Sequence, residues 1–287
     1  RMVENYPEIF HKRSHIECRS TIVPRCILSM SSAVRQITAM VPTISIRMES
    51  SERNTYLKAY AGLNSIKQES RPMSDSLQNA YLPCPDKFLK RIFTAEQKID
   101  GKKFMLTTFM LSAILGSTPV EGIESLDYAF TEDEKAAIWQ ASNIRRYVLT
   151  GPSKPFGSVI LSGIHPFLQH FVTTADRAIA TGCEQATLRF AHDVTVIPFS
   201  AILGIKSCNT VTDDWDNVGN YWRINEVTPM GANIQMVFYR SKRNPEILVK
   251  VLHNEREQIL DSSVATPVES FYYRWTDIRQ YLLSQIK

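Results

Sequence analysis

A histidine and an aspartate stand next to each other where an alternating apolar segment ends: His192 and Asp193 in LRFAHDVTVIP. Leu188 and Phe190 alternate with polar residues, which predicts a strand, and the apolar residues that follow favour a helix. In open α/β sheets, ligands bind at the carboxyl ends of strands, and a helix that begins there attracts anions. The pair could bind a phosphate oxygen and supply a proton, or it could be a loop histidine beside a helix-capping aspartate.

A second strand-to-helix junction carries an arginine. The segment HIECRSTI is a predicted strand that ends near Thr21. Pro24 suits the first turn of a helix, where its missing N–H costs nothing, and Arg25 follows directly. The planar guanidinium group of arginine matches two phosphate oxygens at once. Arg25 could therefore bind a phosphoryl group, although, taken alone, pairing with a surface carboxylate is the simpler interpretation.

The elements predicted around these junctions alternate between strands and helices, which favours an α/β sheet. The segment TISIRMES alternates in the manner of a half-buried strand. NIQMVFYR and EILVKVL are predicted to pair as a hairpin. Thr131 and Glu134 have the spacing of a capping box, which marks the start of a helix.

The order of the predicted strands and helices also predicts how the chain is divided into domains. Residues 52–157 hold predicted helices and no clear strand. We therefore expect 1–51 and 158–287 to form an α/β domain and 52–157 to form a mostly α-helical insertion or cap. A single helix is predicted over 158–181, because Gly182 is suited to end it.

The overall charge limits the kinds of partner. The net charge of +4 suits an anionic small molecule. It is too small to indicate nucleic acid, whose binding proteins carry basic stripes with interleaved aromatic residues. One basic cluster is typical of a solvated helix face; it comprises Lys87, Lys90, Arg91, Lys98, Lys102 and Lys103. Because no apolar run approaches the ~20 residues that span a bilayer, we expect no membrane span.

The cysteines, histidines and acidic residues do not form a recognisable metal site. The five cysteines never occur at C-x-x-C spacing. Their odd number leaves at least one thiol free, while one or two disulfides remain possible. His165 and His170 share a helix face poorly, and VTDDWDNVGN lacks the spacing and terminal glutamate of a calcium loop. We expect neither a metal ion nor another cofactor.

Several segments resemble the histidine acid phosphatase branch of the histidine phosphatase superfamily. FAHDVTVIPFSAILGI resembles its second signature, a strand followed by His-Asp or His-Ala-Glu and a short apolar helix. STIVPRCILSM is similar to the segment in which a serine, an arginine and a second serine precede a helix. Supporting similarities lie in VTPMGANIQMVFYRS and ILVKVLHNEREQIL, and ASNIRRYVLTGPS resembles the bacterial multiple inositol polyphosphate phosphatases.

The resemblance implies a phosphoglycerate mutase-like α/β sandwich with a mostly α-helical insertion. It also implies hydrolysis of phosphomonoesters through a phosphohistidine intermediate. Arg25 would bind the phosphoryl oxygens, and His192 would hold the same group and stabilise its charge in the transition state. Asp193 would protonate the leaving alkoxide and later help to activate water. The implied substrates are inositol polyphosphates such as phytate, and the implied location is periplasmic or secreted.

The family nucleophile, a histidine in an Arg-His-Gly-x-Arg motif, has no counterpart among the 287 residues. In the family this motif precedes the segment that holds Arg25, so we expect it upstream of Arg1, together with the first strand of the sheet. Because a missing strand would leave unpaired edges, we expect the chain alone to be marginally stable.

Three functions remain open at this point. The first is an inositol polyphosphate phosphatase of the phytase type. The second is a non-catalytic phosphate-binding protein or an inactive fragment, which keeps the anion site without the attacking histidine. The third is a broad acid phosphatase or a glucose-phosphate phosphatase, which would differ from the first in the breadth of its pocket.

Overall fold

Strands and helices alternate along the computed structural model, which describes residues 1–58, 64–96, 98–117 and 124–286. The strands are β1 (His15–Ser20), β2 (Ser45–Ser50), β3 (Ala186–Phe190), β4 (Ile234–Arg240), β5 (Ile247–His253), β6 (Arg256–Glu257) and β7 (Tyr272–Arg274). The α-helices are α1 (Met2–Asn5), α2 (Pro24–Met40), α3 (Asn64–Tyr81), α4 (Asp86–Ile92), α5 (Gly101–Ser117), α6 (Glu132–Thr150), α7 (Gly157–Ser162), α8 (His165–Thr181), α9 (Asp193–Ile202), α10 (Val218–Tyr221), α11 (Ile224–Val227) and α12 (Trp275–Ser284). Two 3₁₀-helices cover Glu52–Leu57 and Leu126–Ala129.

The first sheet places the two strand-to-helix junctions side by side. Its strands run parallel in the order β2-β1-β3. The central strand, β1, fully buries Ile16 and Cys18 on one face and leaves only 4% of Glu17 exposed on the other, as expected for a strand that is covered on both faces. Ser20, the last residue of β1, lies opposite Phe190, the last residue of β3. The residues that follow these two strands therefore share one edge of the sheet.

The second sheet confirms the predicted hairpin. Strands β4 and β5 pair antiparallel, with Ile234 opposite His253 and Arg240 opposite Ile247. Strands β6 and β7 both pair with β5. Val249 and Val251 of β5 are fully buried, so the apolar face of this strand contributes to the main core.

The main core collects buried side chains from β5 and from helices α6, α8, α9 and α12. Its largest fully buried residues include Trp222, Tyr147 and Tyr273. The rings of Tyr147 and Trp222 pack with their centroids 5.2 Å apart. The Tyr147 hydroxyl donates a hydrogen bond to the Thr210 carbonyl oxygen at 2.6 Å, so this polar group is satisfied inside the core.

The region predicted as a mostly α-helical insertion contains helices and no strand among its described residues. A second cluster of buried side chains packs here; it comprises Leu82, Phe88, Met105, Ala129, Phe130, Ile138 and Ala141. The predicted capping box is present at the start of α6. The Thr131 hydroxyl oxygen accepts a hydrogen bond from the Glu134 N–H at 3.3 Å, and Glu134 Oε2 accepts one from the Thr131 N–H at 3.0 Å. The boundaries of the insertion at 52 and 157 remain a prediction.

The single helix predicted over 158–181 is wrong, because the chain forms α7 and α8 with a break at Gly163 and Ile164. Pro166 lies in the first turn of α8, where its missing N–H is tolerated, but a helix cannot continue through proline without losing a hydrogen bond. Gly182 ends α8 in the left-handed conformation, with φ of 62°, as the sequence predicts.

The cysteines are not paired in the structure. All five are free thiols, of which Cys18, Cys26 and Cys208 are buried and Cys84 and Cys183 are exposed. The described residues include no helix that is long and apolar enough to cross a membrane. They also include no group of three or more side chains arranged to hold a metal ion.

A partly buried histidine, His170, is expected to make the fold sensitive to acid. The His170 ring stacks on Tyr56 with the centroids 3.8 Å apart. Burial, reinforced by the nearby cation Arg189, lowers the pKa of His170 to about 4. The same side chain in an unfolded chain has a pKa of about 6.5, so the unfolded state binds this proton first as the pH falls. The free energy of unfolding should therefore decrease as the pH falls from about 6.5 to about 4.

Replacing His170 with phenylalanine keeps an aromatic ring against Tyr56 and removes the titrating group. In urea unfolding between about pH 7 and about pH 4, we expect the His170→Phe variant to lose less stability than the unmodified chain. The exposed His11 offers the control variant His11→Phe, which should lose as much as the unmodified chain. Equal losses in all three proteins would contradict this assignment.

Candidate functional site

Two helices begin at the shared edge of the first sheet. The Thr21 N–H donates to the Phe190 carbonyl oxygen at 3.3 Å, which holds the ends of β1 and β3 together. Helix α2 begins at Pro24 and α9 at Asp193, and neither helix start has a side-chain cap. Because free N–H groups and the positive ends of two helix dipoles meet here, the position favours an anion.

His192 lies at the centre of this edge, and 9% of its surface is exposed. Its Nδ1 lies 3.2 Å from Arg25 Nη2, and its Nε2 lies 3.1 Å from the Thr21 hydroxyl oxygen. Because arginine can only donate, Nδ1 must accept, which places the ring proton on Nε2, where it is donated to Thr21. The structure therefore brings Arg25 and His192, which are 167 residues apart, into direct contact.

The environment of His192 favours the neutral imidazole. Burial lowers the pKa of His192, the Arg25 guanidinium and the Lys58 ammonium lower it further, and the Asp193 carboxylate opposes them. A neutral His192 carries one proton, on Nε2, and can donate it in a hydrogen bond to an arriving phosphate. The arrival of an anion would also offset the positive charge of Arg25 and Lys58.

Asp193 is the first residue of α9 and stands beside His192 in the chain. Its carboxylate is about one-third exposed, with 35% of the side-chain surface accessible, and its Oδ2 lies 2.8 Å from Arg146 Nη2. Arg146 belongs to α6, so this ion pair joins the α-helical region to the edge of the sheet. A partly exposed carboxyl group next to an anion site is placed to exchange protons with a bound ligand.

Hydrogen bonds from neighbouring segments hold the edge in shape. The Cys26 thiol donates to the Ala191 carbonyl oxygen at 3.1 Å. The Asn54 amide donates to the Ser20 carbonyl oxygen at 3.1 Å. The first contact ties the start of α2 to the residue that follows β3, and the second ties the end of β1 to the 3₁₀-helix that follows β2. The functional side chains of α2 and α9 are therefore held in fixed positions relative to each other.

The three residues predicted from the sequence are thus found together, and Thr21, Lys58 and Arg146 join them. Thr21 binds His192, Lys58 adds positive charge near it, and Arg146 pairs with Asp193. In the sequence, Arg146 is one of three polar residues that face partly away from the apolar stripe of their helix, for which an ion pair is the simpler interpretation and a contact with substrate the alternative. Thr21 stands at the end of the predicted strand, which is the one signal that could have identified it, and the sequence context of Lys58 gives no indication of where it folds. No other histidine of the described residues forms a hydrogen bond with these groups.

The ion pair of Asp193 leads to a prediction about catalysis. Replacing Arg146 with glutamine removes the cation that holds the Asp193 carboxyl group in its place beside His192. In a protein that carries the complete catalytic machinery, we expect Arg146→Gln to lower kcat on inositol hexakisphosphate by about 10- to 100-fold, because the proton donor is no longer held in position. Arg145→Gln is the matched control, because the neighbouring Arg145 pairs instead with Asp75 at 3.1 Å. An unchanged kcat in Arg146→Gln would show that this ion pair does not position Asp193.

Comparison with known proteins identifies the family that the sequence matches. A model of the histidine phosphatase superfamily (branch 2) matches residues 53–254. Among solved structures, the Bifidobacterium longum multiple inositol polyphosphate phosphatase in complex with inositol hexasulfate is 22% identical, with a TM-score of 0.62 over 82% of this chain and 57% of that chain. Its apo form is 18% identical, with a TM-score of 0.69 over 94% of this chain and 73% of that chain.

A phytase from D. castellii is 15% identical, with a TM-score of 0.74 over 99% of this chain and 61% of that chain. The chain therefore spans a little more than half the length of the inositol hexasulfate-bound phosphatase and of the phytase. No curated protein matches the sequence. At these identities, the likeness to the solved structures shows a shared α/β fold with a parallel sheet and many helices.

Proposed function

Because the chain belongs to branch 2 of the histidine phosphatase superfamily, we propose that it forms the phosphate-binding and proton-donating part of a phosphomonoesterase site. The observation that carries this proposal is the contact between Arg25 and His192 at two converging helix starts, with Asp193 beside them. A fixed cation and a neutral imidazole can bind a phosphoryl group that leaves an alcohol and is transferred in the end to water, and a carboxyl group can protonate the departing alkoxide.

The proposed reaction has two steps. A nucleophilic histidine nitrogen attacks phosphorus, the P–O bond to the alcohol breaks, and Asp193 donates its proton to the leaving alkoxide. The Asp193 carboxylate then accepts a proton from water as the water oxygen attacks phosphorus. The P–N bond breaks, and inorganic phosphate and the free histidine result. We propose that the nucleophile belongs to an Arg-His-Gly-x-Arg segment encoded upstream of Arg1.

Arg25 and His192 bind the phosphoryl group in both steps. The exposed guanidinium group of Arg25 presents donors to two phosphoryl oxygens. His192 donates to a third oxygen once the phosphate replaces its present partner, Thr21. Arg25 is held against His192 Nδ1 before the reaction, and His192 only exchanges one hydrogen-bond partner, so both groups stabilise the charge that develops on the oxygens with little reorganisation.

For the substrate we propose an inositol polyphosphate such as phytate. Lys58 adds positive charge near Arg25 and His192, which favours a substrate with several phosphates over one with a single phosphate. The structural relatives support the same class, since one of them was solved with inositol hexasulfate. A broad acid phosphatase or a glucose-phosphate phosphatase is the alternative. The resemblance also supports a periplasmic or secreted location.

One observation favours a second, non-catalytic function. The sequence contains no Arg-His-Gly motif, so by itself the chain fits a phosphate-binding protein or an inactive fragment.

The deciding experiment measures phosphate release from inositol hexakisphosphate by this chain and by the same protein extended at its N-terminus. We expect turnover only in the extended form. Turnover by the 287-residue chain alone would require another nucleophile within it. If neither form releases phosphate but both bind the substrate, the non-catalytic alternative is correct.

A further inference from the structure

Helix α5 carries an exposed apolar patch on the surface of the α-helical region. Met105 and Ser112 are buried on the inner side of this helix. On the outer side, Met110 is 62% exposed, Leu111 45% and Ile114 55%. Because Ile114 stands four positions after Met110 and three after Leu111, the three side chains are neighbours on the helix surface.

The composition of α5 explains why this patch is apolar. A helix that packs on one side and meets water on the other usually carries charged residues on its outer side. The only charged residues of α5 are Lys102 and Lys103, both in its first turn, and the helix contains no acidic residue. Beyond the first turn the outer side therefore offers no charge to water, and a contiguous apolar surface of this kind is typical of a binding site.

Basic side chains extend this patch towards the start of the helix. Lys103 is exposed and stands seven positions before Met110, which is two helix turns, so it lies on the same outer side. Lys98 and Ile99 are exposed in the segment that leads into α5. The outer side of α5 thus joins a basic end to an apolar middle.

Helix α4 adds two further lysines at the same end. A Cβ atom at Gly101 would lie 2.8 Å from Leu89 Cδ1, so α4 packs tightly against the first residue of α5. Lys87 and Lys90 are exposed on α4. Between residues 86 and 103, six basic residues outnumber three acidic ones. Within the described part of the chain, Lys87, Lys90, Lys98 and Lys103 form no ion pair, so their charges are available to an anionic partner.

This combination fits the surface of an anionic membrane better than a second protein molecule. A helix that lies in a membrane interface inserts its apolar side chains between lipid head groups, and lysines around it attract anionic lipids. Three partly exposed side chains cannot supply the ~800 Å² per partner of a stable protein interface. The same face of a second copy would also offer no carboxylate from α5 to these lysines.

We propose that the outer side of α5, with the lysines at its start, binds the surface of an anionic phospholipid membrane. Met110, Leu111 and Ile114 would insert among the head groups, and the lysines would pair with lipid phosphates and carboxylates. The proposal goes beyond the proposed function, since it adds a docking surface on helices other than α2 and α9, which form the phosphate-binding edge. It would hold the phosphomonoesterase site at a membrane surface.

Co-sedimentation with lipid vesicles tests the proposal. The 287-residue chain and the N-terminally extended protein are mixed with vesicles of phosphatidylcholine that contain about 30% phosphatidylserine, and with vesicles of phosphatidylcholine alone. We expect both proteins to bind the anionic vesicles saturably and the neutral vesicles at least ~10-fold more weakly. Raising the salt concentration from about 0.1 M to about 1 M should weaken the binding, because salt screens the lysines.

Two variants separate insertion from electrostatic attraction. Replacing Met110 and Leu111 together with serine removes apolar side chains, and Lys103→Glu reverses one charge. Each change should weaken binding to the anionic vesicles by about 10-fold or more. The melting temperature should stay the same, because these positions are exposed. The matched controls are Met230→Ser, at a 79% exposed position in the turn before β4, and Lys242→Glu, at an exposed position after β4; both should bind as the unmodified chain does.

The remaining outcomes separate this inference from its alternatives and from the proposed function. Arg25→Ala should bind the vesicles as strongly as the unmodified chain, so vesicle binding does not depend on the phosphatase assignment. Loss of vesicle binding in Arg25→Ala, or equal binding by the α5 variants and their controls, would overturn the proposal. So would binding by the 287-residue chain alone, since another part of the longer polypeptide would then cover α5. A concentration-dependent dimer that the Met110 and Leu111 replacements abolish would assign this surface to a second copy and contradict the proposal.

Discussion

Replacing Asp193 with asparagine is expected to lower kcat on inositol hexakisphosphate by about 10²- to 10⁴-fold in a protein that contains the nucleophile. An inositol alkoxide is a strong base, so the P–O bond breaks slowly unless a proton is delivered as the bond lengthens. Asp193 is the carboxyl group beside His192, and it is partly exposed at the start of α9. Asparagine keeps the shape of the side chain and cannot donate such a proton.

The choice of substrate turns this variant into a specific test. With p-nitrophenyl phosphate, whose leaving group departs without protonation, Asp193→Asn should lose far less activity than with inositol hexakisphosphate. The control is Asp213→Asn, because Asp213 forms its ion pair with Lys154, at 2.9 Å, away from this edge. Equal losses on both substrates would mean that Asp193 supports the structure of the site and is not its general acid.

Removing the side chain of Arg25 is the second change with a large expected effect. Arg25→Ala takes away the fixed cation that would bind two phosphoryl oxygens, and we expect kcat/KM to fall by about 10²- to 10³-fold. Arg25→Lys should recover only part of the loss, because an ammonium group cannot form the two parallel hydrogen bonds of a guanidinium. Arg35→Ala, at an exposed position of the same helix, is the control and should keep full activity.

Arg25→Ala also has a readout that needs no turnover. The Arg25 guanidinium contributes to the lowered pKa of His192, so in this variant that pKa should rise towards the usual value for histidine. A titration of the His192 ring by NMR measures the change in the 287-residue chain itself. An unchanged pKa together with full activity would contradict the contact between Arg25 and His192.

Local patterns predicted those parts of the fold in which neighbouring residues decide the structure. Alternation of apolar and polar residues located β1, β2 and the β4–β5 hairpin, and Thr131 and Glu134 located the start of α6. The same reasoning joined α7 and α8 into one helix, because the apolar spacing continues across the break. The first turn of α8 contains Pro166, which lacks the N–H that would continue the hydrogen bonds of α7 and is tolerated where a new helix begins.

The candidate site could be predicted only as separate pieces. The sequence indicated that Arg25 and His192 each follow a strand, and the parallel pairing of β1 with β3 is what brings them into contact. The pairing of Arg146 with Asp193 joins α6 to α9, 47 positions apart in the printed sequence. No local pattern encodes such a distance, so these partners emerge only when the helices pack.

The most direct test of the central claim is calorimetric titration of the 287-residue chain with inositol hexakisphosphate, which asks whether Arg25 and His192 form an anion site. We predict saturable binding with one ligand per chain, weakened at least tenfold in Arg25→Ala and in His192→Ala and unchanged in Arg35→Ala. Absence of binding, or equal binding by all four proteins, would contradict the assignment of this edge as the phosphate-binding site.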